Sequence, residues 1–156
     1  MKKLKLNFLA LLAILFAFSA CNDDDETPDP LLGTWDLEEI EFVSGPQGTE
    51  PLLGFRDLAQ VGWRAYTISF NTDNSFELEI RPEFGNRVNL EGTWEQEDDE
   101  ITLDYEDGDS EVWIVNDIAI EELELLKESE TWIFFDTDST TVEIPLDVAY
   151  YFNKDN

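Results

Sequence analysis

The sequence predicts an all-β domain, an antiparallel up-and-down barrel of eight to ten short strands. Three observations predict it. Apolar and acidic residues alternate with period two through most of the chain after residue 31, the mark of strands with one dry face and one wet face. Turn sequences such as Asn71-Thr72-Asp73-Asn74 and Asp107-Gly108 separate these runs at short intervals. The segment Leu31-Leu32-Gly33-Thr34-Trp35-Asp36 returns as Leu90-Glu91-Gly92-Thr93-Trp94-Glu95, so one strand-opening device serves twice. A barrel is favoured over a sandwich because closure removes the edges that invite aggregation.

The 156 residues divide into a targeting segment, a tether and one domain. Lys2, Lys3 and Lys5 precede an apolar run over residues 8–18, and Ser19-Ala20-Cys21 follows, the three-part layout of a signal peptide over residues 1–20. The apolar run is shorter than the roughly 20 residues a membrane-spanning helix needs. Phe18-Ser19-Ala20-Cys21 resembles the bacterial lipobox, with Phe18 where that box usually has Leu. Cys21 is the one cysteine, so no intramolecular disulfide is possible, and acylation of Cys21 accounts for a lone thiol in an exported protein. Two or three acyl chains would hold such a protein stably on a membrane.

Residues 21–30, Cys21 followed by Asn22-Asp23-Asp24-Asp25-Glu26-Thr27-Pro28-Asp29-Pro30, read as an acidic, solvated tether. The run also resembles the acidic signal that sends lipoproteins to the cell surface in some Gram-negative bacteria, and a plain spacer explains the same residues. The expected location is therefore the outer membrane, lipid-anchored, at the cell surface or on the periplasmic face. Cleavage before Cys21 leaves six basic residues against 37 acidic ones, a charge of −31. That argues against nucleic acid and anionic lipid surfaces as partners. With no His and no second Cys, zinc, copper and iron lose their commonest ligands, and no cofactor is expected.

The barrel domain is assigned to residues 31–156. Its first strand runs through Trp35, Leu37, Ile40 and Phe42, and the slip between Leu37 and Ile40 predicts a bulge. Residues 44–64 form the one long connection, predicted irregular with a helical turn near residues 55–61; a loop of that length is usually functional. Tyr66, Ile68 and Phe70 make the next strand, Phe76, Leu78 and Ile80 another, and Val88, Leu90, Gly92 and Trp94 share one face of a third. Ile101, Leu103 and Tyr105 lead to Asp107-Gly108, a type I′ hairpin signal. Val112 to Val115 continue through Ile118 and Ile120, then Leu123, Leu125 and Leu126, with residues 127–130 read as a turn. Residues 132–135 are fully apolar, a strand covered on both faces or part of a contact surface. The last alternation is Val142, Ile144, Leu146, Val148, Tyr150 and Phe152, and Pro145 marks its start as an edge or bulge.

Gly33-Thr34-Trp35 opening the first strand, then a long loop and a meander of hairpins, resembles the lipocalin-like domain of small bacterial lipoproteins and, more distantly, the lipocalins. The resemblance covers residues 31–153. It implies that Gly33 bends the chain tightly while Trp35 plugs the closed end of the barrel, with Gly92 and Trp94 as a second such pair. In lipocalins an Arg from the final strand caps the Trp; here the last Arg is Arg87, and Lys154 is the cation near the C-terminus.

Nucleophilic triads lack their base, no phosphate-cradling glycine motif occurs, and carboxylate pairs are unavoidable among 37 acids, so no catalytic residue and no enzyme activity is expected. The acidic stretches at residues 104–109 and 136–139 read as hairpin turns rather than ion sites. Aromatic and apolar residues remain as ligand-binding candidates: Leu53, Phe55 and Trp63 on or beside the long loop, and Tyr66, Phe70 and Phe76 pointing inward. The same residues could instead fill the core, leaving no cavity. The expected function is a membrane-anchored lipoprotein binding a small hydrophobic or amphipathic molecule, the alternative a non-catalytic structural or protein-interaction module of the cell envelope.

Overall fold

In the computed structural model, residues 29–135 and 141–155 are described. The expected signal peptide, Cys21, nearly all of the tether and the turn around residues 136–139 lie outside them.

Among the described residues nine strands form: β1 (Gly33–Ser44), β2 (Gly54–Asp57), β3 (Trp63–Phe70), β4 (Ser75–Pro82), β5 (Val88–Glu97), β6 (Glu100–Tyr105), β7 (Ser110–Ile118), β8 (Glu122–Phe135) and β9 (Thr141–Lys154). Each of β3 to β9 pairs antiparallel with its sequence neighbour, β3 and β9 both pair with β1, and the ring of eight strands closes. β2 stands outside the ring, paired with β1 alone. The alternation read from the sequence sets the inward face: Trp35, Ile40, Ile68, Phe70, Phe76, Ile101, Trp113, Tyr150 and Phe152 are buried, while Asp36, Glu38 and Glu77 are exposed. The expected bulge in β1 falls between Leu37 and Glu39.

One end of the barrel is plugged. Trp35 is fully buried, its indole N–H donates to the Leu31 carbonyl at 2.7 Å, and the Lys154 ammonium sits 4.9 Å above its ring. Lys154 thus does from the final strand what an Arg would do, at a cation–π contact worth about 0.5 to 2 kcal/mol. Gly33 has φ +132°, and a Cβ there would meet Lys154 Cε at 2.7 Å, so the corner needs glycine both for its backbone and for the cap. Trp94 packs edge-on against Phe70 at 5.3 Å and donates to the Asn71 carbonyl at 3.3 Å, sealing the same end below the β3–β4 turn. Gly92 makes room in a different way: a Cβ would lie 2.0 Å from the Asp104 carbonyl oxygen and 2.8 Å from Phe76 Cε1. Phe76 and Tyr105, edge to face at 5.2 Å, belong to the residues paired with Gly92 on either side.

Several expectations are corrected. The connection from Gly45 to Gly62 is not irregular throughout: it holds a 3₁₀ turn at Glu50–Leu52 and then β2. β3 pairs with β1 only over residues 33–36 of β1, which leaves the edge of residues 39–42 open, and β2 satisfies its backbone groups. Phe55 therefore lies in a strand, and successive hydrogen bonds to residues three positions back begin only at Gln60. The β6–β7 hairpin is not type I′: Gly108 alone has positive φ, at +95°, and its N–H donates to the Tyr105 carbonyl at 3.0 Å, a type I turn closed by a left-handed glycine. Residues 127–130 are not a turn but a bulge inside β8. The apolar stretch of β8 is covered on one face only: Trp132 packs 5.0 Å from Phe42 and Phe134 6.0 Å from it, whereas Ile133 is 59% exposed. Pro145 lies on the part of β9 that has β8 but not β1 as neighbour, since β1 pairing stops at Asp147, so its missing N–H falls on a half-free strand.

Candidate functional site

The turns β3–β4, β5–β6 and β7–β8 gather at the plugged end, and the long connection and the β4–β5 and β6–β7 connections at the other. That second end is open. A cleft of about 480 Å³ enters it, within the range of small-molecule sites. Its apolar wall is Trp63, Tyr66, Leu78, Ile80, Leu90 and Tyr105. The polar wall is Asp107, Asp109 and Ser110 from the β6–β7 hairpin, with Glu111, Lys127, Glu130 and Tyr150.

The polar wall is built around Lys127. In a regular strand Lys127 and Glu130, three apart, would point to opposite faces. The β8 bulge changes the register between them, so both oppose inward residues of β9, Val148 and Leu146. Ser129 takes a left-handed φ of +54° in that bulge, and its N–H donates to Asp147 at 2.9 Å, anchoring the irregular backbone to β9. This bond and one from the Ser44 hydroxyl hold the Asp147 carboxyl below the usual carboxylate range, the Ser44 bond the stronger cause.

Lys127 Nζ donates to Glu111 at 2.5 Å and Glu130 at 3.2 Å and lies 4.9 Å over the Trp113 ring. Tyr105 donates to the second oxygen of Glu111. Tyr150 at 2.5 Å and the Trp132 indole at 3.1 Å donate to the second oxygen of Glu130. Burial works to lower the Lys127 pKa, but Glu130 and Glu111 together outweigh it and the pKa is raised, so the ammonium is firmly charged. Burial first, then the negative field of Glu111 and Glu130, lifts the Tyr66 hydroxyl well above the ordinary value. Tyr150 is lifted by burial and then by Glu130. Both remain protonated donors at neutral pH. Beneath the cluster, the Trp113 indole N–H is buried without a hydrogen-bond partner among the described residues.

Of the six ligand-binding candidates, Trp63 and Tyr66 line the cleft, with ring centroids 5.1 Å apart. The other four do not line it. Phe70 and Phe76 lie deeper, in the filled core; Leu53 packs against the core under the long connection; Phe55 is 54% exposed on the outer wall, 5.6 Å from Tyr151. Of the further inward residues, Leu78 is in the wall and Leu103 is core. The barrel is thus filled at its plugged end and middle and hollow only near its mouth. Glu111, Lys127 and Glu130 were not anticipated from sequence. A second hollow, of about 340 Å³, lies on the outer wall beside the β1 and β7 bulges and is lined by carboxylates with no basic residue among its lining.

No protein-family model matches the chain, and no curated protein matches it. Among solved structures, an uncharacterized protein from Bacteroides eggerthii superposes with a TM-score of 0.48 at 14% identity, over 80% of this chain and 99% of that one. A lipocalin-like protein from Bacteroides uniformis superposes with a TM-score of 0.49 at 14% identity, over 81% of this chain and 100% of that one. The closed barrel rests on its own strand pairing.

Proposed function

We propose that this chain is a lipid-anchored envelope protein, acylated at Cys21, whose barrel binds a small amphipathic molecule in its open mouth without acting on it chemically. The observation that carries the reading is the cleft itself: one wall is apolar and aromatic, the other is a hydrogen-bonded cluster of charged groups. A side-chain-filled barrel would have no use for a charged cluster at its core boundary, because desolvating Lys127 and two carboxylates costs more than an apolar filling would. A ligand with a polar head and an apolar body matches both walls. The acidic composition of the segment after Cys21 fits a spacer for display at the cell surface.

Native mass spectrometry of protein extracted gently from its own membranes tests the binding. One retained small molecule, lost in Trp63→Ala, is expected; an empty barrel in every preparation, together with no binding from a lipid and metabolite extract, would sink it. Metabolic labelling with an alkyne fatty acid tests the anchor, since label should appear on the wild-type chain and vanish in Cys21→Ser. The alternative, a protein-docking module, finds less support: over residues 132–134 of β8, Trp132 and Phe134 are turned inward and Ile133 is exposed.

A further inference from the structure

The charge balance of the cleft selects among amphipathic ligands. Its lining carries four carboxylates, Asp107, Asp109, Glu111 and Glu130, against one ammonium, Lys127. That ammonium is already committed: two carboxylates and the Trp113 face occupy its surroundings. An anionic head such as a fatty-acid carboxylate would have to displace one of these partners, and would then face the remaining acids. Glu111 and Glu130 share a single positive charge between them, so the inner cluster keeps a net charge of −1, and Asp107 and Asp109 add to it at the rim. At the facing wall the Tyr66 pKa is raised first by burial and then by Glu111 and Glu130, in keeping with a negative field there. Three aromatic residues, Trp63, Tyr66 and Tyr105, line the same space. Aromatic faces and carboxylates around one hollow are what a desolvated organic cation needs.

We infer that the ligand of this cleft is an organic ammonium ion with an apolar or aromatic body, its cationic head between the Tyr66 and Tyr105 rings and the carboxylates of Asp107, Asp109, Glu111 and Glu130. The inference rests on the mouth being a ligand site, as proposed above. Tyr66, which hydrogen-bonds to neither Glu111 nor Glu130, supplies a further polar contact for the head. Selectivity against fatty acids is electrostatic rather than steric, so it weakens as salt rises.

Three probes of one shape, 4-phenylbutylamine, 4-phenylbutanol and 4-phenylbutyrate, separate the possibilities by calorimetry on the folded full chain at pH 7 and low salt. The amine is expected to bind at one site at least about tenfold more tightly than the alcohol, and the carboxylate not measurably. Asp107→Asn with Asp109→Asn, both exposed and away from the core, should reduce amine affinity roughly fivefold and leave the alcohol unchanged. Removal of the same number of charges on the outer wall, Glu122→Gln with Glu124→Gln, should leave amine affinity as it was; an equal loss there would mean that the bulk negative charge attracts the amine, and would overturn the inference. Alcohol or carboxylate binding as tightly as amine overturns it too, while leaving the mouth as a ligand site. Failure of all three probes to bind removes the site reading and this inference together.

Discussion

Replacing Lys127 by Met keeps the length and apolar stem of the side chain and removes only the charge. Glu111 and Glu130 are then left facing one another across the space the ammonium occupied. At an effective dielectric of about 20, each ion pair at 3 Å is worth roughly 5 kcal/mol before desolvation is counted. Removing one member of a buried cluster generally costs about 3 to 5 kcal/mol, because the partners stay desolvated without compensation. Here the three side chains are 18%, 25% and 22% exposed, so water screens part of the repulsion and the lower end, about 3 kcal/mol, is expected. The triple variant Lys127→Met, Glu111→Gln, Glu130→Gln leaves the cluster without charge and keeps acceptors for Tyr105 and Tyr150, so it should recover most of that loss. Urea unfolding of wild type and the two variants at pH 7 measures both effects. A Lys127→Met penalty under about 1 kcal/mol would refute the picture of a desolvated cluster organised by the lysine.

Trp35→Ala empties the plug and should cost about 3 to 5 kcal/mol, seen as a fall in Tm of roughly 10 °C or more, whereas Lys154→Ala removes only the cap and should cost about 0.5 to 1 kcal/mol; equal effects would contradict the assignment. Gly92→Ala drives a Cβ into the Asp104 carbonyl, which is backbone and cannot swing away, so β5 and β6 must separate locally at about 1 to 3 kcal/mol or more; a variant as stable as wild type in thermal unfolding would show that the approach is looser. Tyr66, Tyr150 and Lys127 all have pKa values raised in the folded state. Stability from these groups is complete below about pH 10 and is lost as pH rises through the folded values, so tyrosinate absorbance at 295 nm should appear together with unfolding, and early ionisation of Tyr66 and Tyr150 in a still-folded barrel would speak against their burial.

Strand parity was open to sequence reading because burial repeats strictly every second residue: Tyr66, Ile68 and Phe70 could share a dry face only as a strand, and they do. Parity did not give the roles of the glycines before Trp35 and Trp94; those are what the resemblance of the two Gly-Thr-Trp segments implies. The site was much less so. Glu128-Ser129 breaks the rhythm between two apolar runs with polar residues, and a turn and a bulge look alike in that pattern; only the pairing of β9 across the whole of β8 distinguishes them. Glu111 is one carboxylate among 37, and nothing local distinguishes it from its outward neighbours. Its inward role is set by Lys127, 16 positions away, whose own direction depends on the bulge. Of the four candidates placed outside the cleft, Phe70 and Phe76 point inward but at a level where the barrel is already full, whereas Phe55 faces outward beside Tyr151 and Leu53 lies under the long connection.

That gradient of filling along the barrel axis has a physical cause. At the plugged end the repeated Trp and the facing Phe70, Phe76 and Phe152 supply more ring volume than an eight-stranded barrel has room to leave unfilled, and tight packing there supports the whole closed ring. Toward the mouth β1 leaves β3, β2 takes its place outside the ring, and the outer half of β8 and β9 continues without a neighbour on either side. The wall is wider and less regular there, and side chains cannot close it. A purely apolar lining at such a mouth would be a wet hydrophobic surface, prone to collapse or association. A network in which every carboxylate oxygen of Glu111 and Glu130 has a donor keeps the opening hydrated and holds its shape, at the expense of stability that the plugged end supplies.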